Sequence, residues 1–400
     1  NNDRYGNASS GGFNQWFHRN IDMGIMREMA GVLSPPGATG TPGVLAAWNH
    51  SNPGNYNPNN PVNFYGGNYH YNPFNYFNNR EDITRRDRLF GDISLTYKIN
   101  SDFRIRAAYR KSLVTGWYEN KVNYILERSG RQTGTRAGYA TGESFFADDR
   151  YELIGTFNKK VNDLSFDIIG GGEIVNISDK NITANTRDGL YIPDFFALSN
   201  SIAAIQYSNQ RNNEKRRAIF TRGSIGWRNM LFADITLRND WYSTLPANDN
   251  NIFVKSFGAS FVFSDLTKQA LPWLSYGKFR ATWGEVPQAV GPYSLAVTYG
   301  VNGDQWAAVN PATNYVTQTT PNGIAAANIK GATQTTKELG LDLRFLKSRV
   351  GVSATYFHAS TVNSPISITV SGTSGYNSKT INAGEITRRG MEVQAFAKPV

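Results

Sequence analysis

Cysteine is absent from the 400-residue chain, which excludes disulfide frameworks, thiolate zinc sites, iron–sulfur clusters and cysteine nucleophiles together. Charged residues make up only 18% of the sequence, below the ~25% that is usual in soluble domains. No apolar run approaches the ~20 residues that a membrane-spanning helix requires. The chain is therefore neither a disulfide-stapled scaffold nor a bundle of membrane helices.

Catalytic signatures are also missing. The sequence has no G-x-S-x-G nucleophile elbow and no phosphate-binding loop, and its four histidines show no zinc-ligand spacing. Gly170-Gly171-Gly172 lies within a strand pattern, where glycine marks a bulge or a close approach. His358 is interpreted as an interfacial residue, and the single carboxylate of Asn248–Asn251 indicates a solvated turn rather than a calcium site. We predict no catalytic residue, no metal site, no cofactor and no enzyme activity.

Aromatic residues and glycine are abundant instead, with 8 Trp, 21 Tyr, 23 Phe and 38 Gly. The net charge is +10, but the basic residues are scattered and no compact nucleic-acid motif accompanies them. Nucleic acid is therefore not an expected partner. Many aromatics and glycines with few charges favour β-hairpins joined by polar loops.

Apolar and polar residues alternate with a period of two, and the pattern recurs in pairs separated by turn residues. In the first pair Ile99 is predicted opposite Phe103, because a one-residue shift in register would move the apolar side chains of one strand to the polar face. This register sets Asp92 opposite Arg110. In the second pair Asn162-Asp163 supplies a two-residue turn. About eleven long strands result, in the pairs 89–99 with 103–110, 151–161 with 164–173, 219–227 with 231–241, 257–263 with 279–283, and 339–345 with 350–356, followed by 391–397 without its partner.

The connections between these strands alternate in length. Short turns are predicted at 100–102, 161–163, 228–230 and 347–348, and long polar stretches at 114–150, 174–215, 285–333 and 357–386. This asymmetry is typical of outer-membrane barrels, and strands of nine to twelve residues exceed the ~5–6 usual in a soluble sandwich, which is the alternative. The predicted fold is all-β, a transmembrane antiparallel β-barrel with short periplasmic turns and long extracellular loops.

The two faces of the strands differ in chemistry. Aromatic residues concentrate near both strand ends, as an interfacial girdle requires. The apolar face is predicted to contact acyl chains, and its representatives are Ile93, Leu95, Ile235, Leu341, Leu343 and Val352. The opposite face carries charges of both signs, which fits either a conducting lumen or cross-strand pairs that hold the wall together.

Several segments, in order along nearly the whole chain, resemble the SusC/RagA-type TonB-dependent outer-membrane transporters of Bacteroidetes. No single segment is specific, and the ordered series carries the resemblance. The segments are Asn14–Arg19, Arg86–Gly91, Gly189–Pro193 with Leu198–Ser201, Leu237–Asp240, Trp273–Ala281 and Arg389–Val393.

The resemblance implies that residues 1–400 form about half of one barrel domain of about twenty-two strands, its interior and C-terminal portion. The plug domain, the TonB-contacting segment and the remaining strands would lie outside this chain. It further implies a location in the outer membrane, a SusD-like surface lipoprotein as partner, and TonB-driven import of an oligomeric nutrient, either glycan or peptide. A structural barrel that scaffolds a larger surface or secretion complex, without transport, is the alternative.

Two groups of candidate binding residues follow. Aromatic rings beside amides in the first loop suit sugar or peptide recognition, although a rigid Pro-rich surface loop would look the same. Basic clusters stand where long loops re-enter strands, and they are predicted either to bind lipopolysaccharide phosphates at the outer rim or to be solvated. The aromatic candidates are Trp48, Tyr56, Tyr65, Tyr69, Tyr71 and Tyr76, and the basic ones are Arg85, Arg86, Lys215, Arg216, Arg217, Arg388 and Arg389.

Overall fold

The structure, a computed structural model, describes residues 2–3, 21–33, 43–48, 59, 71–129, 134–294, 300–302, 317–319, 321–324 and 328–398. These residues belong to two compact units, the first comprising 1–90, 112–147 and 178–212, and the second 91–111, 148–177 and 213–400. Among the described residues, no helix is long and apolar enough to cross a membrane.

Strands dominate both units. In chain order they are β1 (Asn2–Asp3), β2 (Arg80–Lys98), β3 (Phe103–Val122), β4 (Gly138–Val161), β5 (Leu164–Leu190), β6 (Ser201–Trp227), β7 (Leu231–Tyr242), β8 (Asn251–Val262), β9 (Leu274–Gln288), β10 (Gly300–Asn302), β11 (Thr317–Thr319), β12 (Gly323–Ile324), β13 (Ala332–Phe345), β14 (Val350–Thr369) and β15 (Ser378–Ala397). The helices are α1 (Met23–Glu28), α2 (Pro73–Asn78) and α3 (Ser264–Thr267), with short 3-10 turns at Tyr124–Arg128, Leu198–Asn200, Ala247–Asp249 and Gly372–Ser374.

One sheet contains all the long strands. Hydrogen-bonded neighbours follow the order β1 to β9 and then β13, β14, β15 and β12. The pairs from β6 to β15 are antiparallel, and only the short β12 pairs with β15 in parallel. Within the described ranges, eleven strands have twelve or more residues, as the alternating pattern predicts.

The tight turns lie where the sequence predicts them. Asn162 has a φ of 54°, and Arg228 and Asn229 have φ values of 52° and 56°, the left-handed region that these turns require. The Asn100 side chain accepts hydrogen bonds from the backbone N–H groups of Asp102 and Phe103 at 2.9 and 2.8 Å. These turns therefore fix the register of their hairpins.

Three of the four long loops are shorter than predicted, because the strands continue far past the alternating segments, whereas the loop predicted at 285–333 lies between the end of β9 at Gln288 and the start of β13 at Ala332. β3 ends at Val122 and β4 begins at Gly138, β5 ends at Leu190 and β6 begins at Ser201, and β14 ends at Thr369 and β15 begins at Ser378. Strand 391–397 also has its partner, since it belongs to β15 and pairs with β14. The pattern missed these extensions because their side chains no longer alternate cleanly, whereas the backbone ladder needs no apolar residues.

Register confirms the alternation of faces. On β13, Leu341 lies opposite Phe279 of β9 and Ala354 of β14, and the next residue, Asp342, lies opposite Lys278 and Ser353. Apolar side chains thus cover one face and polar side chains the other. Buried apolar residues are few among the described residues, and one small cluster of them, Tyr242, Leu245 and Ile329, lies at the end of β7 and in the loops beyond it.

Two adjacent glycines of β5 differ in their surroundings. A Cβ on Gly171 would overlap the Leu153 carbonyl oxygen and lie 3.1 Å from the Ile154 Cα, both backbone atoms of β4. A Cβ on Gly172 would meet only the Ala218 carbonyl oxygen, at 3.4 Å. Gly171 is therefore required by close backbone approach, and Gly172 is not.

We expect Gly171→Ala to destabilise the protein by roughly 1–3 kcal/mol, since overpacking at a backbone contact forces the strands apart. Gly172→Ala is the matched control and is expected to cost less than ~0.5 kcal/mol. Urea unfolding of the full-length protein in lipid vesicles measures both. Equal costs at the two positions would show that the β4–β5 approach is not tight.

Candidate functional site

The apolar face of β13 has the height of a membrane core. From Phe345, at the turn, to Lys337 there are eight residue steps, and at ~3.4 Å per residue this stretch is roughly 27 Å long. A strand tilt of ~40° reduces it to roughly 21 Å, close to the ~25 Å apolar band of outer-membrane barrels. The face between these two residues is therefore the lipid-contacting surface.

A row of basic and aromatic residues marks the end of this surface away from the turns. Trp283 of β9 lies directly opposite Lys337 of β13, Lys337 opposite His358 of β14, and His358 opposite Arg389 of β15. The Lys255 ammonium lies 5.8 Å from the centre of the Trp283 ring. Cations and tryptophan at one level are typical of a membrane–water interface. Lys337 was not predicted as a rim residue, because only strand register brings it into one row with Arg389. Lys255, also not predicted, lies two residues beyond Phe257, the residue of β8 opposite Trp283.

Aromatic rings lie at both ends of the apolar face, as predicted. Trp273 stacks on Phe345 with ring centres 5.6 Å apart at the turn end. At the other end Tyr109 and Tyr151 lie 5.0 Å apart, and Phe257 stacks on Trp283 at 5.7 Å. These pairs form the expected girdle.

The basic cluster 215–217 is divided between the two faces of β6. Lys215 and Arg217 line a groove of about 810 Å³ together with Trp241, which lies opposite Arg217, whereas Arg216 lies on the polar face. There the Arg216 Nη2 is 3.6 Å from Glu173 Oε1. Side chains of neighbouring residues in a strand point to opposite faces, so the three adjacent basic residues do not form a single cluster.

The other predicted basic residues are divided in the same way. Arg85 is exposed and pairs with Asp87 at 3.0 Å, and Arg86, exposed too, follows it on the alternate side of β2. Arg388 lines a cavity of about 640 Å³ on the polar face with Gln288 and Gln334. Arg389 belongs to the boundary row. In each of the pairs Arg85–Arg86 and Arg388–Arg389, one residue therefore lies on the apolar face and the other on the polar face.

The polar face is crossed by ion pairs, most of which join adjacent strands. Ile99 N–H donates a 3.0 Å hydrogen bond to the Phe103 carbonyl, in keeping with the predicted register of the first hairpin. Arg110 donates a 2.8 Å hydrogen bond to Glu152 of β4. Asp92 lies 3.8 Å from Arg106. The Arg280 guanidinium lies 3.6 Å from the Asp342 carboxylate. The Arg280 side chain passes over Gly340, where a Cβ would collide with it. This arrangement favours the interpretation in which charge pairs hold the wall together.

The most buried of these pairs is on β7. Both carboxylate oxygens of Asp240 accept from Arg238, at 2.7 and 2.8 Å, and Asp240 is only 1% exposed. Arg238 also lies 3.5 Å from Glu173, so Glu173 joins Arg216 and Arg238.

Only part of the aromatic loop belongs to the described residues, since Tyr56, Tyr65 and Tyr69 lie outside them. Trp48 is half-buried. Tyr71 and Tyr76 pack with ring centres 5.1 Å apart. The Tyr71 hydroxyl is hydrogen-bonded to Thr135, and the Tyr76 hydroxyl accepts a 2.7 Å hydrogen bond from Arg80. The two described tyrosines are therefore engaged within the first unit.

A different loop of the first unit presents apolar side chains to solvent. Tyr191, Ile192 and Phe195 are 71%, 60% and 53% exposed. The buried Asn200 side chain fixes the loop, accepting from Ile192 N–H at 3.0 Å and donating to the Ile192 and Phe195 carbonyls at 2.8 and 2.7 Å. The Asp194 carboxylate of this loop accepts a 2.6 Å hydrogen bond from the Tyr124 backbone N–H. A rigid loop with exposed apolar residues is typical of a docking surface.

Two ionisable groups near strand ends, Asp102 and Tyr139, have shifted pKa values. Hydrogen bonds from Lys159 and Ser101, each 3.0 Å long, lower the pKa of the Asp102 carboxyl in the first turn. Burial, followed by a 2.5 Å hydrogen bond to Glu119, raises the pKa of Tyr139. Both groups keep their usual charge near neutral pH. No group of three or more metal-ligating side chains occurs in the part of the chain that the structure describes.

Comparison with known proteins agrees with this geometry. The model of the TonB dependent receptor-like, β-barrel family matches residues 36–397. Comparison with curated proteins gives no match. Similar solved structures include the RagAB peptide transporter (TM-score 0.68, 13% identity, 80% of this chain and 35% of that chain) and the RagAB peptide importer in the "closed-closed" state (0.64, 14%, 78% and 34%).

The ferric-catecholate import receptor Fiu from K12 E. coli is similar over 88% of this chain and 50% of its own, with a TM-score of 0.51 and 14% identity. At these identities the likeness shows the fold alone. The chain spans about a third of the length of the RagAB chains that it matches.

Proposed function

Because the chain belongs to the TonB-dependent receptor-like β-barrel family, we propose that it forms part of an outer-membrane importer of oligomeric nutrients, either glycan or peptide. The antiparallel transmembrane β-barrel fold and the outer-membrane location are those of the family. The family is one of receptors and transporters rather than enzymes. Import would be driven by TonB through a plug encoded outside these residues, and the short turns would face the periplasm.

The rigid apolar loop at Tyr191–Phe195 carries the proposal beyond the family. Exposed apolar side chains that are held in place by a buried asparagine lose little conformational entropy on binding, which favours a protein partner. A SusD-like surface lipoprotein is the partner that we propose for it. The similarity to RagAB chains supports this choice through the fold that they share.

The test expresses the full-length protein in a strain from which the chromosomal gene for this protein has been deleted. Replacing Tyr191, Ile192 and Phe195 with Ser is expected to reduce co-purification of the lipoprotein by at least tenfold and to slow uptake of labelled oligopeptides or oligosaccharides. The loss follows from removing apolar hot-spot residues. Tyr207→Ser, at a residue 74% exposed, is the control and should leave both unchanged.

Three results bear on the proposal. Unchanged co-purification by the triple variant would exclude this loop as the docking surface. Lipoprotein binding by the wild-type protein without uptake of either cargo would favour the scaffold. Uptake of one cargo class only, abolished by a protonophore, would support import and identify its class.

A further inference from the structure

A groove on the apolar face of β4 to β7 combines the features of a lipid site. Leu153, Ile174 and Ile219 form its apolar sides, and Gly172 lies at its floor. Its volume of about 810 Å³ lies within the ~300–1,000 Å³ range of pockets that hold small molecules. Lys215 and Arg217 line the end of the groove where Trp241 lies.

The floor of the groove has no side chain at one position, that of Gly172. Gly172 has no positive φ and no crowded Cβ position, so its backbone would accept a larger residue. The adjacent Gly171, on the other face, is explained by backbone contact, but nothing in the strand geometry requires Gly172. Its missing side chain leaves space between the rows of Leu153 and Ile219 for an acyl chain.

Two carboxylates, Glu152 and Glu173, also line the groove, but they pair with Arg110 and with Arg216 and Arg238 rather than with Lys215 and Arg217. Within the part of the chain that the structure describes, Lys215 and Arg217 form no ion pair, whereas Arg216 between them lies 3.6 Å from Glu173. Lys111 of β3 provides a contrast, because its ammonium lies 3.0 Å from Asp149. Two like charges at alternate positions of one strand repel each other unless an anion lies between them.

The occupant must therefore be anionic at one end and apolar along its length. A free phosphate would leave the apolar groove empty, and a neutral lipid would leave both cations unpaired. Trp241 at the same level as Arg217 places the charged end at the membrane–water boundary. The groove lies at the end of the apolar face away from the short turns, which is the outer leaflet in the orientation proposed above.

We propose that this groove binds lipopolysaccharide through its lipid A part, with a phosphate between Lys215 and Arg217 and an acyl chain over Gly172. The site lies on β4–β7. Lys337 and Arg389 lie on the same face in the boundary row, but they line neither this groove nor the cavity beside Arg388. Lipid binding here is independent of cargo import.

Native mass spectrometry of delipidated full-length protein, titrated with monophosphoryl lipid A, tests the site. Lys215→Gln with Arg217→Gln is expected to weaken binding tenfold or more, the usual effect of losing charge-assisted hydrogen bonds. Gly172→Leu fills the groove and is expected to weaken binding similarly with no loss of thermal stability. Lys337→Gln with Arg389→Gln removes the same charge from the boundary row and should leave affinity unchanged.

Equal losses in the two double-charge variants would overturn the proposal in favour of a general electrostatic belt. Unchanged affinity in Gly172→Leu would show that no acyl chain occupies the groove, even if the charge variant failed to fold. Equal affinity for dephosphorylated lipid A would exclude the phosphate contact. Tighter binding of phosphatidylglycerol than of lipid A would assign the groove to a phospholipid and overturn our choice of ligand.

Discussion

Leu341→Arg is expected to lower the free energy of unfolding by roughly 2–4 kcal/mol, the cost of a cation at the bilayer midplane on the lipid face of a barrel. Leu341 lies four residues from Phe345 and four from Lys337, midway between the turn end and the boundary row. Its side chain is exposed on the apolar face, so no protein group can pair with the new guanidinium. Urea unfolding of the full-length protein in lipid vesicles measures the change.

The control must share the depth of Leu341 but lie on the other face. Asp342 is unsuitable, since it lies 3.6 Å from Arg280 and opposite Lys278, where an arginine would meet two cations. Ser353→Arg places the new charge directly opposite Asp342 and should cost less than ~1 kcal/mol. If both substitutions cost the same, the assignment of the two faces is wrong.

The sequence was sufficient for this level of detail because strand alternation has a period of exactly two residues and depends on local chemistry alone. Turn residues such as Asn162 and Arg228 then set the hairpin boundaries, and the structure has their positive φ values. Strand ends were not predictable in the same way. Past the apolar face, as in β5 up to Leu190, polar residues occupy both sides, and a period-two pattern no longer distinguishes strand from loop.

The candidate site needed information that the sequence alone does not hold. Lys215, Arg216 and Arg217 look like one cluster along the chain, but alternation separates Arg216 from the other two. Conversely, Lys337 and Arg389 are 52 positions apart and share a row only through the registers of β13, β14 and β15. Charge clusters in barrels therefore depend on neighbours across strands as well as along the chain, and they can be identified only once the strand registers are known.

Asp240→Ala is expected to destabilise the protein by roughly 2–4 kcal/mol, because removing one partner of a buried ion pair leaves the other desolvated and unpaired. Both oxygens of the Asp240 carboxylate bind Arg238, and Asp240 is 1% exposed. The estimate is below the largest values for such pairs, since the Arg238 side chain is 27% exposed and keeps Glu173 at 3.5 Å. Asp87→Ala, which breaks the exposed pair with Arg85, should cost less than ~0.5 kcal/mol.

A second substitution identifies the source of the cost. If the unpaired guanidinium is responsible, Arg238→Met combined with Asp240→Ala should be less destabilising than Asp240→Ala alone, because the buried charge is then gone. The Arg216–Glu173 contact remains in this double variant, so the neighbouring strands stay linked across the polar face. Urea unfolding in vesicles of the four proteins of the cycle gives the coupling energy. A double variant that is less stable than either single variant would mean that Arg238 stabilises β7 independently of Asp240, through Glu173 or through the Phe220 ring 5.5 Å from its guanidinium.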